Sequence, residues 1–429
     1  MNTAPPSARS PRTLAEWLAY IERQHPSAIA MGLERVRDVA TRMHLARPAR
    51  RVVTVAGTNG KGSTVAFIEA IARAAGWRVG AYTSPHLLAY NERVRIDGAD
   101  VADPVLVHAF DAVEAARGDT ALTYFEYGTL AALWLFERSN LDLAVLEVGL
   151  GGRLDAVNLV DADVAVITTV DLDHQDWLGS DRESIGREKA GVARAFRPLV
   201  LGEDDPPSSV LGHAYAIGAS AIRAGCDFFF SPVEAGRWQW REIGSEIDLP
   251  SPRLAAPSQL RNAATAIAAL RALPDALPTE AYAQGVANAE LPGRLQRFVL
   301  NGVEVVLDVA HNPQAARELH AWLQQAPSPG RTCAVFAALG DKDIAGIVGA
   351  LAGDVDGWFL AGLDEVGPRG LAIDAFVHRC RGSTAQDGRT FATVGAALAA
   401  ALEGAAPGDR VLVFGSFHTV AAALEMLQS

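Results

Sequence analysis

The sequence has 429 residues, long for one domain and comfortable for two, and 49% of them are hydrophobic. Its formal charge of −12 at pH 7 argues against a nucleic-acid or anionic-membrane surface, because both need a basic face. Three scattered cysteines without CxxC spacing favour neither a disulfide framework nor a zinc site: Cys226, Cys333 and Cys380.

The N-terminal segment, residues 1–13, is polar and lacks the apolar core of a secretory signal. No apolar run is long enough to span a membrane, and we therefore predict a cytoplasmic protein. Helices are predicted next, over residues 14–24 and 33–45.

From residue 51 onwards, strands and helices alternate. Strands are predicted at 52–56, 79–83, 143–148, 164–169 and 199–201, and helices at 63–75, 104–117, 128–138 and 182–194. Apolar strands joined by helical crossovers predict an α/β protein with a doubly wound, mostly parallel sheet. A small β excursion at 227–249 is predicted to precede helices at 259–272 and 279–289.

The helical pattern is interrupted within 288–297 by Leu291-Pro292-Gly293-Arg294. Alternation then restarts, with strands at 303–308, 332–336, 357–361 and 411–414 and helices at 313–325, 344–351, 373–381, 394–403 and 418–428. We predict an N-terminal domain over 1–290 and a smaller, Rossmann-like α/β domain over 291–429. Open α/β sheets bind ligands beyond the carboxyl ends of their strands, so the cleft between the domains is the expected reactive site.

The segment TVAGTNGKGS (54–63) predicts a phosphate-binding loop between a strand and a helix. Its glycines let backbone N–H groups approach a phosphate, and the helix adds its positive N-terminal end. Lys61 contributes a cation and Ser63 a hydroxyl for Mg²⁺. Gly62 separates these two, unlike in the usual P-loop, where the hydroxyl follows the lysine directly. The alternative is a glycine-rich turn that binds no nucleotide, but the lysine and hydroxyl together favour ATP.

Polar residues also follow the other predicted strands of this sheet. An acid inside a run as apolar as 143–148 is costly to bury unless it is paired or binds a metal. We therefore predict an oxygen and imidazole shell around Mg²⁺ and the ATP phosphates: Ser63, Ser84, Glu147 and His174. Each residue alone has a structural alternative. Glu147 could pair with Arg153, His174 could be a loop histidine, and Lys189 could be a solvated helix residue.

The segment DVAHNP (308–313) turns from a predicted strand into a helix. Asn312 before Pro313 predicts a helix cap. Asp308, at the strand end, is placed to touch a nucleotide across the cleft, and Arg294 could reach the same phosphates.

Together these motifs identify the chain as similar to the folylpolyglutamate synthase family of the Mur-ligase superfamily. The matching segments run in order along the chain: GLERV (32–36), GTNGKGS (57–63), SPHL (84–87), NERVRIDG (91–98), TYFEYGTLAALWLF (123–136), EVGLGGRLDAVN (147–158), DHQDWLG (173–179), IGREKAGV (185–192), LPGRLQ (291–296), DVAHNP (308–313), DKDIAG (341–346) and GSFHTVA (415–421).

The resemblance implies ATP-dependent ligation of L-glutamate to dihydropteroate, giving dihydrofolate, and to the γ-carboxyl of tetrahydrofolates, through an acyl phosphate. It implies a pair of Mg²⁺ ions and a carbamylated Lys189, with K⁺ as a further candidate cofactor. The expected partners are these small molecules, and the expected oligomeric state is a monomer.

The resemblance also implies roles for individual residues. Those implied to bind ATP are Gly57, Thr58, Asn59, Gly60, Lys61, Gly62, Ser63, Asn262, Arg294 and Asp308. Those implied to bind dihydropteroate are Ala30, Met31, Gly32, Leu33, Thr123, Tyr124, Phe125, Glu126, Leu154, Asp155 and Ala156. Ala30-Met31 departs from the acidic residue and leucine usual in the family. The expected catalytic residues are Lys61, Lys189 and His311, with His311 as the candidate acceptor of the glutamate proton.

Three other functions compete with this interpretation. A Mur-type ligase for a cell-wall nucleotide would be expected to carry a separate domain before the phosphate loop, for which few residues are present. A dihydrofolate synthase without the second activity is a further alternative. A regulatory P-loop ATPase would need neither the pterin-like segment nor DVAHNP, and its ADP release would not depend on an acid and glutamate.

Overall fold

The computed structural model describes residues 12–25, 30–234 and 236–428. Its strands form three sheets, of eight, three and six strands. In chain order the strands are β1 (Arg51–Ala56), β2 (Val79–Tyr82), β3 (Val94–Ile96), β4 (Ala99–Asp100), β5 (Leu143–Glu147), β6 (Val164–Ile167), β7 (Pro198–Leu201), β8 (Ser220–Arg223), β9 (Phe228–Glu234), β10 (Arg237–Glu242), β11 (Ser245–Pro250), β12 (Gln296–Leu300), β13 (Val303–Asp308), β14 (Thr332–Phe336), β15 (Gly357–Ala361), β16 (Arg389–Phe391) and β17 (Arg410–Phe414).

Helices connect most of these strands, and short 3₁₀ turns occur at Tyr90–Arg93 and Ala156–Leu159. In chain order the α-helices are α1 (Leu14–Glu22), α2 (Glu34–Arg42), α3 (Lys61–Ala74), α4 (Asp103–Arg117), α5 (Tyr124–Glu137), α6 (Gln175–Leu178), α7 (Arg182–Ala190), α8 (Ser208–Ile217), α9 (Ser258–Arg271), α10 (Thr279–Asn288), α11 (Pro313–Gln325), α12 (Ile344–Ala350), α13 (Ile373–Arg379), α14 (Val394–Glu403) and α15 (Phe417–Gln428).

The first sheet has the strand order β4-β3-β2-β5-β1-β6-β7-β8. The neighbouring pairs β2-β5, β5-β1, β1-β6, β6-β7 and β7-β8 are parallel, and only the pairs β2-β3 and β3-β4 at one edge are antiparallel. Successive residues of β1 pack into different cores: Val52 lies with α4 and α5, whereas Val53 lies with α3 and α9. Helices therefore cover both faces of this sheet. This confirms the predicted doubly wound, mostly parallel architecture.

The predicted β excursion is an antiparallel sheet of β9, β10 and β11. Trp238 and Trp240 of β10 are fully buried, and the Trp240 indole donates a hydrogen bond to the Ala264 carbonyl of α9 at 3.1 Å. The excursion thus packs on the same helix that supplies Asn262 to the cleft.

The third sheet has the order β12-β13-β17-β14-β15-β16 and is parallel except for the edge strand β12. Its faces are covered by two further cores, as expected for a second, smaller α/β unit. α10 ends at Asn288 and β12 begins at Gln296. The division of the chain into domains 1–290 and 291–429 stays a prediction.

The strands absent from the prediction are short or lie at sheet edges: β3, β4, β8, β12 and β16. The helices α6 and α8 were also not predicted. Edge strands are not buried on all sides, so they lack the continuous apolar run that marked the central strands. One available signal was overlooked: Asp97-Gly98, both at positive φ, joins β3 to β4 as a hairpin turn.

Helix α5 begins at Tyr124, whereas the predicted helix began at residue 128. Thr123 and Glu126 form a capping box, in which each side chain accepts a hydrogen bond from the other's backbone N–H. The cap places Phe125 in the first helical turn, beside the cleft.

Within the described ranges, no helix is long and apolar enough to cross a membrane. Residues 1–11, which carry most of the segment predicted to lack a secretory signal, lie outside the described residues.

Candidate active site

A cleft of about 1180 Å³ lies at the carboxyl ends of the central strands of the first and third sheets. All residues predicted to bind ATP, metal or dihydropteroate line it, except Gly32 and Leu33. Leu33 instead occupies the N-cap of α2 and packs against the core. The tertiary structure thus brings together residues from Ala30 to His311.

The phosphate loop connects β1 directly to α3. Gly57 and Gly60 have φ values of 150° and 84°, a backbone region that favours glycine. The loop is held to the end of β6, because the Thr58 N–H donates to the Thr169 carbonyl at 2.8 Å. The Lys61 ammonium donates to the carbonyls of Gly57 and Thr58 at 3.0 and 3.1 Å, which places its charge over the loop.

A Gly57→Ala variant should lose nucleotide binding and stability. Its Cβ would overlap with Oγ1 of Thr168 in a backbone conformation that L-residues rarely adopt, and we expect a destabilisation of roughly 1–3 kcal/mol. Thermal melting with and without ADP measures both effects. Gly349→Ala is the matched control, because an added Cβ in α12 meets no described heavy atom within 4 Å. Unchanged melting and ADP affinity in Gly57→Ala would contradict this account of the loop.

Glu147 is the last residue of β5 and is buried. Its Oε2 accepts a hydrogen bond from the Ser84 N–H at 3.2 Å, the one donor to this carboxylate among the described residues. A Cβ on Gly62 would lie 3.7 Å from Oε2 of Glu147 and 3.9 Å from Nη2 of Arg294. The acid, the arginine and the phosphate loop therefore meet at one point.

The side chains predicted to bind the metal fit a magnesium ion. No group of three or more His, Cys, Asp and Glu side chains forms a metal site in the described part of the chain. Glu147 lines the same cleft as the other residues predicted to bind the metal, Ser63, Ser84 and His174. Mg²⁺ is commonly held by one or two carboxylates together with substrate phosphate oxygens, and this donor set suits that arrangement.

His174 lies between β6 and α6 in a left-handed conformation with φ 51°. Burial is the main cause that lowers the pKa of its imidazole to about 4, and the charges of Lys342 and Lys61 act in the same direction. The ring is therefore neutral near pH 7, the form in which histidine binds metals.

The structural alternatives for Glu147 and Lys189 are wrong. Arg153 pairs with Glu188 at 2.8 Å rather than with Glu147. Lys189 is buried on α7 and lines the cleft, so it is not a solvated helix residue. Burial, followed by the charge of Lys61, lowers the pKa of Lys189 to about 7.

The segments predicted to bind dihydropteroate contain residues with structural roles. The Arg35 guanidinium pairs with Glu126 at 2.8 Å, which anchors the start of α5 to α2. The Phe125 ring lies against Gly149, where any Cβ would meet it at 2.7 Å. Asp155 caps the turn Ala156–Leu159, and its carboxylate accepts the N–H groups of Leu150 and Val157 at 2.8 and 3.0 Å.

Contacts from the third-sheet side close over the phosphate loop. Asn312 caps α11, as predicted, and its side chain exchanges hydrogen bonds with Asn59 at 3.0 and 3.1 Å. Nε2 of His311 lies 3.5 Å from Oδ2 of Asp173, while Nδ1 contacts the Val309 carbonyl at 2.9 Å. No role was predicted for Asp173 from the sequence.

Lys342 was also missed. Its ammonium lies 2.7 Å from Oδ1 of Asp173, across the cleft. A usable signal was present in the composition, since the whole sequence contains three lysines, Lys61, Lys189 and Lys342. All three line the cleft, whereas the surface cations are arginines. In this chain, lysine itself marks the site.

Comparison with known proteins agrees with this geometry. Two family models match the chain: the Mur ligase middle domain over residues 55–269 and the Mur ligase glutamate ligase domain over residues 293–417. The dihydrofolate synthase/folylpolyglutamate synthase of Escherichia coli K12 is 47% identical over 425 residues, covering 99% of this chain and 97% of that protein. The chain belongs to the dihydrofolate synthase/folylpolyglutamate synthase family.

Solved structures of the family share the whole fold. The E. coli protein FolC in complex with DHPP and ADP is 46% identical, with a TM-score of 0.92 and 99% of each chain covered. A bifunctional folylpolyglutamate synthase/dihydrofolate synthase with Mn, AMPPNP and L-glutamate bound is 48% identical, with a TM-score of 0.90 and coverage of 97% and 98%. The resemblance stated from the motifs is confirmed, and the chain is a ligase rather than a regulatory ATPase.

Proposed function

We propose that this chain ligates L-glutamate to dihydropteroate, giving dihydrofolate, and to the γ-carboxyl of tetrahydrofolates, with ATP and a divalent metal. The proposal rests on one observation: the phosphate loop lies beside Glu147 and Arg294, and the same cleft is lined by Phe125 and Asp155. Such a cleft can hold an ATP γ-phosphate and a pteroate-type acid together. Family members bind ADP with DHPP, and AMPPNP with Mn and L-glutamate.

In the first step, the carboxylate of the acid attacks the γ-phosphorus, and an acyl phosphate and ADP form. Bringing two anions together requires alignment and charge neutralisation more than covalent help. Lys61 and Arg294 supply positive charge at the loop. A bound Mg²⁺, held by Ser63, Ser84, Glu147 and His174, would add neutralisation at the phosphate oxygens. Asn262 positions the loop itself, because it packs on Gly60.

In the second step, the free amine of glutamate attacks the acyl carbon, and phosphate leaves as the amide forms. The nitrogen must lose a proton on the way. We propose that Nε2 of His311 accepts this proton, because Nδ1 already contacts the Val309 carbonyl. Asp173 would stabilise the resulting imidazolium. Asp308, which is predicted to bind ATP, accepts the N–H groups of Leu295 and Ala310, and these bonds fix the strand end beside Arg294.

Lys189 is proposed to carry a carbamate. Its neutral amine attacks CO₂, a C–N bond forms, and one proton is released, leaving an anionic N-carboxyl group. Only the neutral amine reacts, and a pKa of about 7 makes it available near neutral pH. The carbamate would support the metal site from α7.

The second Mg²⁺ and K⁺ stay predictions. Reaction rates measured in K⁺ and Na⁺ buffers at varied Mg²⁺ concentrations would test both. The free thiols of Cys226, Cys333 and Cys380 suit the reducing cytoplasm that we infer as its location.

One incubation tests the proposed function. Purified protein with ATP, Mg²⁺, glutamate and dihydropteroate should form dihydrofolate and ADP in equal amounts. Replacing dihydropteroate by a tetrahydrofolate should extend the folate by a glutamate. ADP release without either acid would contradict the ligase assignment. Product from dihydropteroate alone would reduce the function to a dihydrofolate synthase.

Asp155→Ala should reduce dihydropteroate ligation by about tenfold or more while reducing tetrahydrofolate glutamylation much less. Dihydropteroate is shorter than a folate by one glutamate, so one pterin position cannot present both carboxylates to the same γ-phosphate. We expect Asp155 and Phe125 to serve the shorter acid. Initial rates with each acid measure the difference, and equal losses would show that one shared pocket is enough.

The pH dependence gives a second readout for Asp155. Burial raises the pKa of its carboxyl to about 7, so the proton is gained as the pH falls below neutrality. The protonated acid accepts fewer hydrogen bonds from a pterin amino group. The KM for dihydropteroate should therefore rise below pH 7 in the unmutated protein, and this rise should be absent in Asp155→Ala.

A further inference from the structure

Arg93 ends the 3₁₀ turn Tyr90–Arg93 and lines the cleft, although it is 9% exposed. Its Nε donates a hydrogen bond to Nδ1 of His86 at 2.8 Å, its one side-chain hydrogen bond among the described residues. No described carboxylate lies within ion-pair distance of it. A buried guanidinium therefore faces the cleft with its two terminal nitrogens uncommitted, which is costly unless an anion binds there.

The neighbouring acid does not neutralise this charge. Glu92 directs both carboxylate oxygens to the loop, where they accept the backbone N–H groups of Leu87, Leu88 and Ala89 at 2.6 to 2.8 Å. Arg95 differs from Arg93 in this respect, because it is paired with Glu69 at 2.7 Å. Arg93 is thus an unpaired cation of the cleft.

Two aromatic rings and one backbone hydrogen bond fix the position of Arg93. The guanidinium carbon lies 5.3 Å from the Tyr90 ring centroid and 5.4 Å from that of Tyr124. The Arg93 carbonyl accepts the Thr83 N–H at 2.9 Å, one residue before Ser84. Arg93 therefore lies between the start of α5, which carries the pterin-binding segment, and the shell of the metal site.

Arg93 is not among the cations that most affect the acid at the phosphate loop. The cations that lower the pKa of the Glu147 carboxyl most are Lys61, Arg294 and Arg95. Arg93 acts on side chains of a neighbouring aromatic group: Tyr82, His86, Tyr90 and Tyr124. The reacting carboxylate already has its cations at the loop, so Arg93 is available for a second anion of the same substrate.

We infer that Arg93 binds the α-carboxylate of the terminal glutamate of a folate substrate while the γ-carboxylate faces the ATP phosphate. This rests on the proposed function and extends it to substrate selection. The two carboxylates of a glutamyl group are joined through one methine and two methylene carbons, so two cationic centres of one cleft can bind one carboxylate each. Dihydropteroate has one carboxylate and no group for Arg93, so the residue is a specificity determinant for the longer acid. A guanidinium suits the task because it binds carboxylates in a bidentate manner.

The test is Arg93→Met assayed with three acids: dihydropteroate, a tetrahydrofolate, and the tetrahydropteroyl derivative of 4-aminobutyrate, which keeps the reacting carboxylate and lacks the α-carboxylate. In the unmutated protein, loss of the α-carboxylate should raise KM by about tenfold or more. In Arg93→Met, KM for the tetrahydrofolate should rise to that of the 4-aminobutyrate derivative. KM for that derivative and for dihydropteroate should change little.

Arg93→Lys keeps the charge and should retain part of the preference for the α-carboxylate, which keeps the test open if the methionine variant folds poorly. Asp155→Ala should show the opposite pattern between the two natural acids. Equal losses for all three acids would show that Arg93 is only structural and would overturn the inference alone. Failure of the unmutated protein to extend any tetrahydrofolate would overturn that half of the proposed function, and this inference with it.

Discussion

Lys61→Ala should abolish both ligations, with a loss of at least roughly 10²–10³-fold in kcat, the effect of removing a preorganised charge from a phosphoryl-transfer or acyl-transfer site. The ammonium lies over the phosphate loop, bonded to the Gly57 and Thr58 carbonyls. Both acids use the same ATP site, so both activities should fall together. ADP release in the presence of dihydropteroate and of a tetrahydrofolate measures this.

Two controls separate chemistry from folding. Lys61→Ala should keep most of its melting temperature, because only two hydrogen bonds of a half-buried side chain are lost. Arg50→Ala removes a cation at the opposite end of β1, where Arg50 is exposed and its nearest carboxylate oxygen, on Asp142, is 3.5 Å away. This variant should be near normal. Near-normal turnover in Lys61→Ala would remove the phosphate loop from the mechanism.

Lys189→Ala should lower both activities by roughly 100-fold, the effect of losing a group that supports a metal site. The variant removes a buried side chain whose amine is neutral in part at pH 7, since burial lowers the pKa of Lys189 to about 7. A short carboxylate such as acetate could occupy the space and restore part of the rate. Activity should be measured over a series of acetate concentrations.

The carbamate itself has a direct readout. Unmutated protein equilibrated with ¹³C-labelled CO₂ should show a carbamate carbon resonance that Lys189→Ala lacks. The carbamylated fraction should rise with pH through about 7, because the ammonium form does not react. A fully active protein without this signal would show that the bare amine is sufficient.

The sequence by itself determined those features that depend only on residues close together in the chain: the central strands, the phosphate loop and the helix cap at Asn312. Alternating apolar runs and helical periods identified the central strands, because buried parallel strands need continuous hydrophobic sequence. The phosphate loop could be recognised from ten successive residues, since its glycines, lysine and hydroxyl act together through local backbone geometry. The cap at Asn312 is equally local, and the structure confirms it. Strands near a sheet edge, such as β3 and β4, were not predicted, because partly exposed strands lack the continuous apolar run.

Only the tertiary structure decided which charges meet. Asp173 and Lys342 are 169 positions apart and form an ion pair across the cleft. Asn59 and Asn312 are 253 apart and share hydrogen bonds. The sequence placed Lys189 on a helix, but its burial and lowered pKa follow from what packs around α7. Arg93 could not be told from Arg95 by sequence, since both belong to one motif. Arg95 forms an ion pair with Glu69, whereas Arg93 pairs with no described carboxylate, and this difference exists only once the chain has folded.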